Sequence, residues 1–195
     1  MKNTKTLYMV EMALLIAIII LMAFTPIGYL RTPGVEITFI MIPVVIGSVL
    51  LGEKAGMILG GVFGITSFIQ CFGMSPFGAT LLSINPLLTF LTCMVPRLLM
   101  GYFSGTVYKL FKKTQNQLVA FGAAALTGPL TNTLFFVGMV IVLFGNTDYI
   151  MGMRGGMNVL AFFAAFVGMN GVIEAIACFA VSTGILTALK KYIHS

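Results

Sequence analysis

The residues of this chain that can do chemistry are few, and they sit in apolar surroundings. Arg97 falls near the middle of a long hydrophobic stretch, with Glu174 equally deep in a second and Asn132 in a third. An ionisable side chain held in hydrocarbon costs about 2.5–3.5 kcal/mol on insertion scales, so it needs a partner or a wet cavity. Two readings follow. Either Arg97 meets an anionic group of a substrate, or it pairs with Glu174 and pins two helices together. Pro96 has no N–H to donate, so it loosens its helix there and frees a carbonyl beside Arg97. Asn170 precedes Glu174 by four residues and shares its helical face, forming one polar stripe. The run Gly128-Pro129-Leu130-Thr131-Asn132-Thr133 interrupts another apolar stretch. Its hydroxyls and amide either bond between helices or touch a substrate.

Polar residues between the apolar stretches are candidates to line or cap a pocket. Arg31 and Asn85 lead this group, which also holds Glu36, Gln70, Ser75, Asp148, Tyr149, Arg154 and Asn158. Catalysis lacks its tools. The single histidine, His194, lies at the C-terminal end, and the five carboxylates are scattered. HExxH and GxSxG patterns are absent, as is the GxxxxGK[ST] phosphate loop. Cys71, Cys93 and Cys178 are isolated in apolar segments without a CxxC, which reads as ordinary buried thiols and not as a metal or redox centre. No cofactor is expected.

The elements that must position these residues are membrane helices. Hydrophobic residues make up 59% of the 195 residues and charged ones 8%, against about a quarter charged in soluble domains. Mean hydropathy is +1.07. The length suits one domain over 1–195 and about six spans of roughly 20 residues. The spans are read as Leu7 to Phe24, Ile37 to Leu51 (short for a crossing), Ala55 to Phe72, Leu87 to Phe111, Leu118 to Phe144 and Val159 to Leu189. Between them lie a loop from Thr25 to Glu36, a tight turn at Gly52-Glu53-Lys54 and a partly re-entrant loop from Gly73 to Pro86. Another loop carries Asp148 and Arg154.

Six spans put both termini on one side. Lys2, Lys5, Lys54, Lys109, Lys112, Lys113, Lys190 and Lys191 then all fall on that side, which the positive-inside rule makes cytoplasmic. The net charge of +6 is thus spread over helix ends and does not form a nucleic-acid face. The first apolar run is long for a signal peptide and lacks a small-residue cleavage site, so it reads as a retained helix. No internal repeat is visible. Ala13 and Ala17 form a small-xxx-small pair on the first span, suited to close packing or to docking another membrane subunit. Gly56, Gly60, Gly61 and Gly64 give the third span a similarly smooth face.

Several motifs, taken in order, resemble the substrate-binding S component of energy-coupling-factor (ECF) vitamin transporters. They are Ala13-Leu-Leu-Ile-Ala17, which is similar to that family's AxxxA helix, Thr25-Pro26-Ile27-Gly28 and Ile42-Pro43-Val44-Val45-Ile46-Gly47. Gly60-Gly61-Val62-Phe63-Gly64, Pro96-Arg97-Leu98-Leu99-Met100-Gly101 and Gly128-Pro129-Leu130-Thr131-Asn132-Thr133 follow. The resemblance implies an all-α, six-helix bundle in the prokaryotic plasma membrane that captures a vitamin from outside and hands it inward by toppling. It implies a transmembrane coupling subunit touching Ala13 and Ala17, and two cytoplasmic ATPases that supply the energy. The ligand would lie among the outer loops and the outer halves of the fourth to sixth spans. The pattern is most like the pantothenate-type branch, whose ligand has a carboxylate that Arg97 can pair with. Where that branch often carries a histidine before the Ile-Pro-Val tract, this chain has Met41. Riboflavin, folate and queuosine precursors stay open as ligands.

Other classes make different demands. A structural or assembly protein without ligand requires the deep polar residues to satisfy one another and leave no outward cavity. A channel requires a continuous polar path, whereas the inner halves of these spans are almost wholly apolar.

Overall fold

A computed structural model describes residues 4–32, 35–113 and 116–189; side chains at positions 4, 30–32, 35–37, 163, 166, 167, 169 and 170 fall outside that description. Lys2, Lys190, Lys191 and His194 therefore lie outside the described residues.

The chain folds as a helical bundle. The first helix, α1 (Thr4–Ala23), is from Met12 onward an unbroken run of Leu, Ile, Met and Ala that stops before Thr25-Pro26. At 1.5 Å per residue its 20 residues extend about 30 Å, the thickness of a bilayer core. A small antiparallel ribbon follows, β1 (Tyr29–Thr32) and β2 (Val35–Thr38), in which Arg31 is registered opposite Glu36. This corrects two expectations, a loop reaching Glu36 and a helix starting at Ile37. The alternation of β-branched and polar residues on either side of Pro33-Gly34 has a period of two, which suits a hairpin and not a helix.

The second helix, α2 (Met41–Leu51), spans about 16 Å and is buried along nearly its whole length. It packs against α1 and against four later helices, α3 (Glu53–Gln70), α5 (Pro86–Phe111), α6 (Gln117–Phe144) and α8 (Val159–Ala188). Being central explains its uniform apolarity. Gly52 separates α2 from α3 with φ of +96°, a left-handed conformation that favours glycine.

The stretch expected as a re-entrant loop folds as α4 (Pro76–Ile84). The Ser75 hydroxyl accepts a hydrogen bond from the Gly78 N–H at 3.1 Å, and Pro76 occupies the first turn, a start signal present in the sequence. The loop carrying Asp148 and Arg154 likewise holds a short helix, α7 (Asp148–Arg154), capped by Thr147. Helices α5, α6 and α8 match the spans read from hydropathy to within a residue at either end.

Among the described residues, four helical stretches are long and apolar enough to cross a membrane: Lys5–Ala23, Pro86–Phe111, Gln117–Phe144 and Gly171–Ala188. Large apolar side chains such as Val142 and Leu160 are exposed on the outside, as a lipid-facing surface requires.

The direction of each helix follows from contacts at its ends. Gln70 Nε2 donates to the Ala23 carbonyl, so α1 and α3 end together. Lys109 pairs with Glu53 at 3.1 Å, bringing the end of α5 to the start of α3. Tyr108 stacks on Phe121 and shares an apolar cluster with Leu186, which adds the start of α6 and the end of α8. Lys54, Lys109, Lys112 and Lys113 thereby gather at one end of the bundle, together with Lys5 at the start of α1. The opposite end is closed by a cluster of Leu81, Val140, Phe144, Ile150 and Phe162.

Helices α3 and α5 approach closely. A side-chain carbon on Gly56 would run into the Gly101 carbonyl, and one on Gly60 into the Arg97 carbonyl. At Gly105 it would stand 2.7 Å from the Glu53 Cα. Without a hydrophobic drive inside lipid, such backbone contact is a main source of helix cohesion. Replacing Gly60 with leucine should overpack this seam, at a cost of about 1–3 kcal/mol, and lower the melting temperature in detergent. Gly138→Ala, where a side-chain carbon meets nothing within 4 Å, should leave the melting temperature unchanged or slightly raised.

Candidate functional site

The site is assembled by the seam between α3 and α5. Arg97 projects from α5 into the bundle and is 7% exposed. Its guanidinium lies between two rings, 5.3 Å from the centre of Phe63 on α3 and 4.8 Å from that of Phe136 on α6. Cation–π contacts of this kind contribute about 2 kcal/mol when desolvated. Arg97 Nη1 donates to the Thr92 carbonyl at 3.0 Å. That carbonyl is available because its helical partner would be the N–H of residue 96, and residue 96 is proline. The expected freed carbonyl is present, and the arginine itself uses it.

Glu174, on α8, is 5% exposed. Its Oε1 accepts the Thr38 N–H at the end of β2, at 2.9 Å, and its Oε2 accepts from the Thr133 hydroxyl of α6 at 3.4 Å. One carboxylate therefore joins the ribbon, α6 and α8. No ion pair forms between Arg97 and Glu174; Lys109–Glu53 is the one found among the described residues. The pinning ion pair weighed from the sequence is thus absent. Arg97 Nε and Asn132 Oδ1 are buried with no hydrogen-bond partner among the described residues. Most buried polar atoms in folded proteins are satisfied, so two such atoms in one region call for an explanation.

The remaining candidates separate. Asn132 is buried beside Thr133, one turn before Phe136, while Thr131 is only half-buried. The Asn85 carboxamide oxygen accepts from the N–H groups of Leu87 and Leu88, both at 3.1 Å, and caps α5. Arg31 is placed in β1, and Asn170 in α8 one turn before Glu174; the side chains of both lie outside the described residues. Ala13 and Ala17 are exposed on the outer side of α1, not packed within the bundle.

Sequence reasoning missed Phe63, Phe136, Thr38 and Thr92 as partners, whereas the Thr133 hydroxyl, read as able to bond between helices, bonds Glu174 of α8. Thr92 was legible as the residue four before Pro96. The others depend on how helices pair. A groove of about 540 Å³ also opens between α6 and α8, lined by Leu130, Leu134, Val172, Ile176 and Phe179, with Thr133 at its edge. Its walls are hydrocarbon, so it matches lipid chains better than a polar ligand.

A multi-pass helical bundle with charged and polar side chains buried between its helices suits a membrane transport component, and the comparisons agree. The family model described as "ECF transporter, substrate-specific component" matches residues 7–186, and the chain belongs to this family. It is therefore a transport component of the cell membrane. The chain is 31% identical over 208 residues to the pantothenic acid transporter PanT of Lactococcus lactis subsp. cremoris (strain MG1363), covering 98% of this chain and 97% of that protein. It is 27% identical over 184 residues to the pantothenate transporter PanT of Leuconostoc mesenteroides subsp. mesenteroides, covering 90% and 88% respectively.

Glu174 tests whether the carboxylate holds the ribbon. Glu174→Leu removes the acceptor of the buried Thr38 N–H and should destabilise the protein by about 1–3 kcal/mol. Glu174→Gln retains an acceptor oxygen and should recover most of that loss. Thermal melts of the two variants in the same detergent compare them directly.

Proposed function

We propose that this chain captures pantothenate from outside the cell and that Arg97 binds the vitamin's carboxylate. The observation that carries this reading is a buried guanidinium that, among the described residues, has no carboxylate paired to it and no partner for Nε. A planar fork of donors recognises a carboxylate by two parallel hydrogen bonds. Phe63 and Phe136 hold the fork in place. Pantothenate also carries hydroxyl groups and an amide. Asn132, with its unpartnered oxygen, and the Glu174–Thr133 pair supply acceptors and donors for them. Thr131 and Asn85 join the candidate contacts, and Arg31 and Asn170 stand as candidates from the sequence pattern. The names of the two relatives point to the same ligand.

In this reading the chain crosses the membrane six times, with α2 and its ribbon forming one short crossing. Both termini are cytoplasmic, on the lysine-rich side. Family membership supports a transmembrane coupling subunit and two cytoplasmic ATPases as partners. The exposed Ala13 and Ala17 provide a smooth contact for the coupling subunit. Delivery inward proceeds by toppling within the membrane.

Binding to the purified protein tests the ligand and the arginine together. Native mass spectrometry with a vitamin panel should show a pantothenate adduct at nanomolar to low micromolar ligand. An adduct with riboflavin or folate alone would overturn the assignment. Arg97→Ala should abolish pantothenate binding while the protein stays folded. Arg97→Lys should bind far more weakly than the parent, since a point charge does not reproduce the fork. Unchanged affinity in Arg97→Ala would remove this residue from the site. For the partner surface, Ala13→Trp or Ala17→Trp should prevent co-purification with the coupling subunit and spare pantothenate binding. Loss of both activities would indicate a packing defect.

A further inference from the structure

Two of the three cysteines, distant in sequence, are brought together. Cys71 caps the end of α3, and Cys93 lies in the second turn of α5. Their Sγ atoms are 3.8 Å apart, at the end of the bundle away from the lysines. Both residues are buried, at 4% and 5% exposure. Cys71 Sγ also donates to the Ser67 carbonyl at 3.4 Å. Cys178 differs, since its Sγ lies 3.5 Å from the Ser182 hydroxyl and not against another thiol.

We propose that Cys71 and Cys93 form an oxidisable dithiol, which a small peroxide converts to an intramolecular disulfide joining α3 to α5. A disulfide needs an S–S distance of about 2.05 Å, so from 3.8 Å the sulfurs must close by a little under 2 Å. Cys71 can supply that movement. It follows the last residue of α3, and the chain turns away two residues later at Gly73, whose φ is +120°. Its side chain is therefore not held by a continuing helix, whereas Cys93 is fixed within α5. Burial selects the oxidant. Hydrogen peroxide is small and uncharged and can enter where a tripeptide disulfide cannot.

The chemistry balances in two steps. One sulfur, as the thiolate, attacks an oxygen of the peroxide, breaks the O–O bond and becomes a sulfenic acid; the departing hydroxide takes up the thiol's proton as water. The second sulfur, losing its proton, attacks the sulfenic sulfur, forms the S–S bond and releases the other oxygen as water. Two thiols and one peroxide become one disulfide and two waters. The consequence reaches the recognition site. Cys93 adjoins Thr92, whose carbonyl holds Arg97, and lies one turn before Arg97 itself. The disulfide would tie the end of α3 to the segment that aims the guanidinium.

The test treats the purified full chain with dilute hydrogen peroxide, then unfolds it and alkylates remaining thiols without reductant. Expected are one alkylated cysteine, Cys178, and a proteolytic peptide pair linked through Cys71 and Cys93. Reductant added before alkylation should restore three alkylated cysteines. Cys71→Ser and Cys93→Ser should each lose the linked peptide. Three alkylated cysteines after peroxide would overturn the proposal. So would oxygen added to either cysteine without a cross-link, or a cross-link between two chains.

Discussion

An arginine kept charged inside a bundle of apolar helices constrains everything packed around it. Removing a guanidinium from water is costly, and no carboxylate among the described residues is paired to it in return. What offsets the cost is a set of weaker contacts. Two aromatic faces bracket the group, and one backbone carbonyl accepts from it. Each contact needs a neighbouring element at a set distance. Phe63 requires α3 against α5, Phe136 requires α6 against α5, and the carbonyl requires a proline four residues after Thr92. The positions of three helices thus converge on one side chain. In the proposed function, that convergence leaves the charge available for an incoming anion.

Small residues make the convergence possible. Glycines 56, 60, 101 and 105 let α3 and α5 meet backbone to backbone, and this close seam sets Phe63 near Arg97. Cohesion along this seam does not rest on large side chains. It comes instead from close contact along one helix pair, with α2 buried as a central post. Larger residues fill the core around α2, among them Leu59, Phe63 and Met100, and form the end clusters around Tyr108 and Phe144.

Glu174 supplies the complementary link. Its carboxylate is shared between the main chain of the ribbon and a hydroxyl of α6, so the covering segment and two helices meet at one group. A ligand that competes for these bonds would change how firmly the ribbon is held. Under the proposed function, the same buried polar groups would link the solute to the ribbon. The face of α1 carrying Ala13 and Ala17 stands apart from all of this. It packs on the bundle by a narrow strip that includes Met12, Ile19 and Ala23, leaving most of the helix for other contacts.

Sequence alone determined the membrane class, the long helices and the side on which lysines collect, because hydrocarbon imposes a length and charge pattern that no neighbour can alter. It also marked Arg97, Glu174 and Asn132 as deep polar residues, and Pro96 as the source of a free carbonyl. Local signals for α4 and the ribbon were present too, in Ser75-Pro76 and in the alternation around Pro33-Gly34, but polar composition made both look like loops. Tertiary structure alone decided which groups meet. It kept Arg97 and Glu174 from pairing, gave the glutamate to Thr38 and Thr133, and assigned Asn85 to a helix cap. It placed Phe63 and Phe136 on the guanidinium and set Cys71 against Cys93. The reason is geometric. Depth along a helix can be counted from its ends, whereas the face a residue turns to its neighbour depends on rotations and crossings that only the assembled bundle sets.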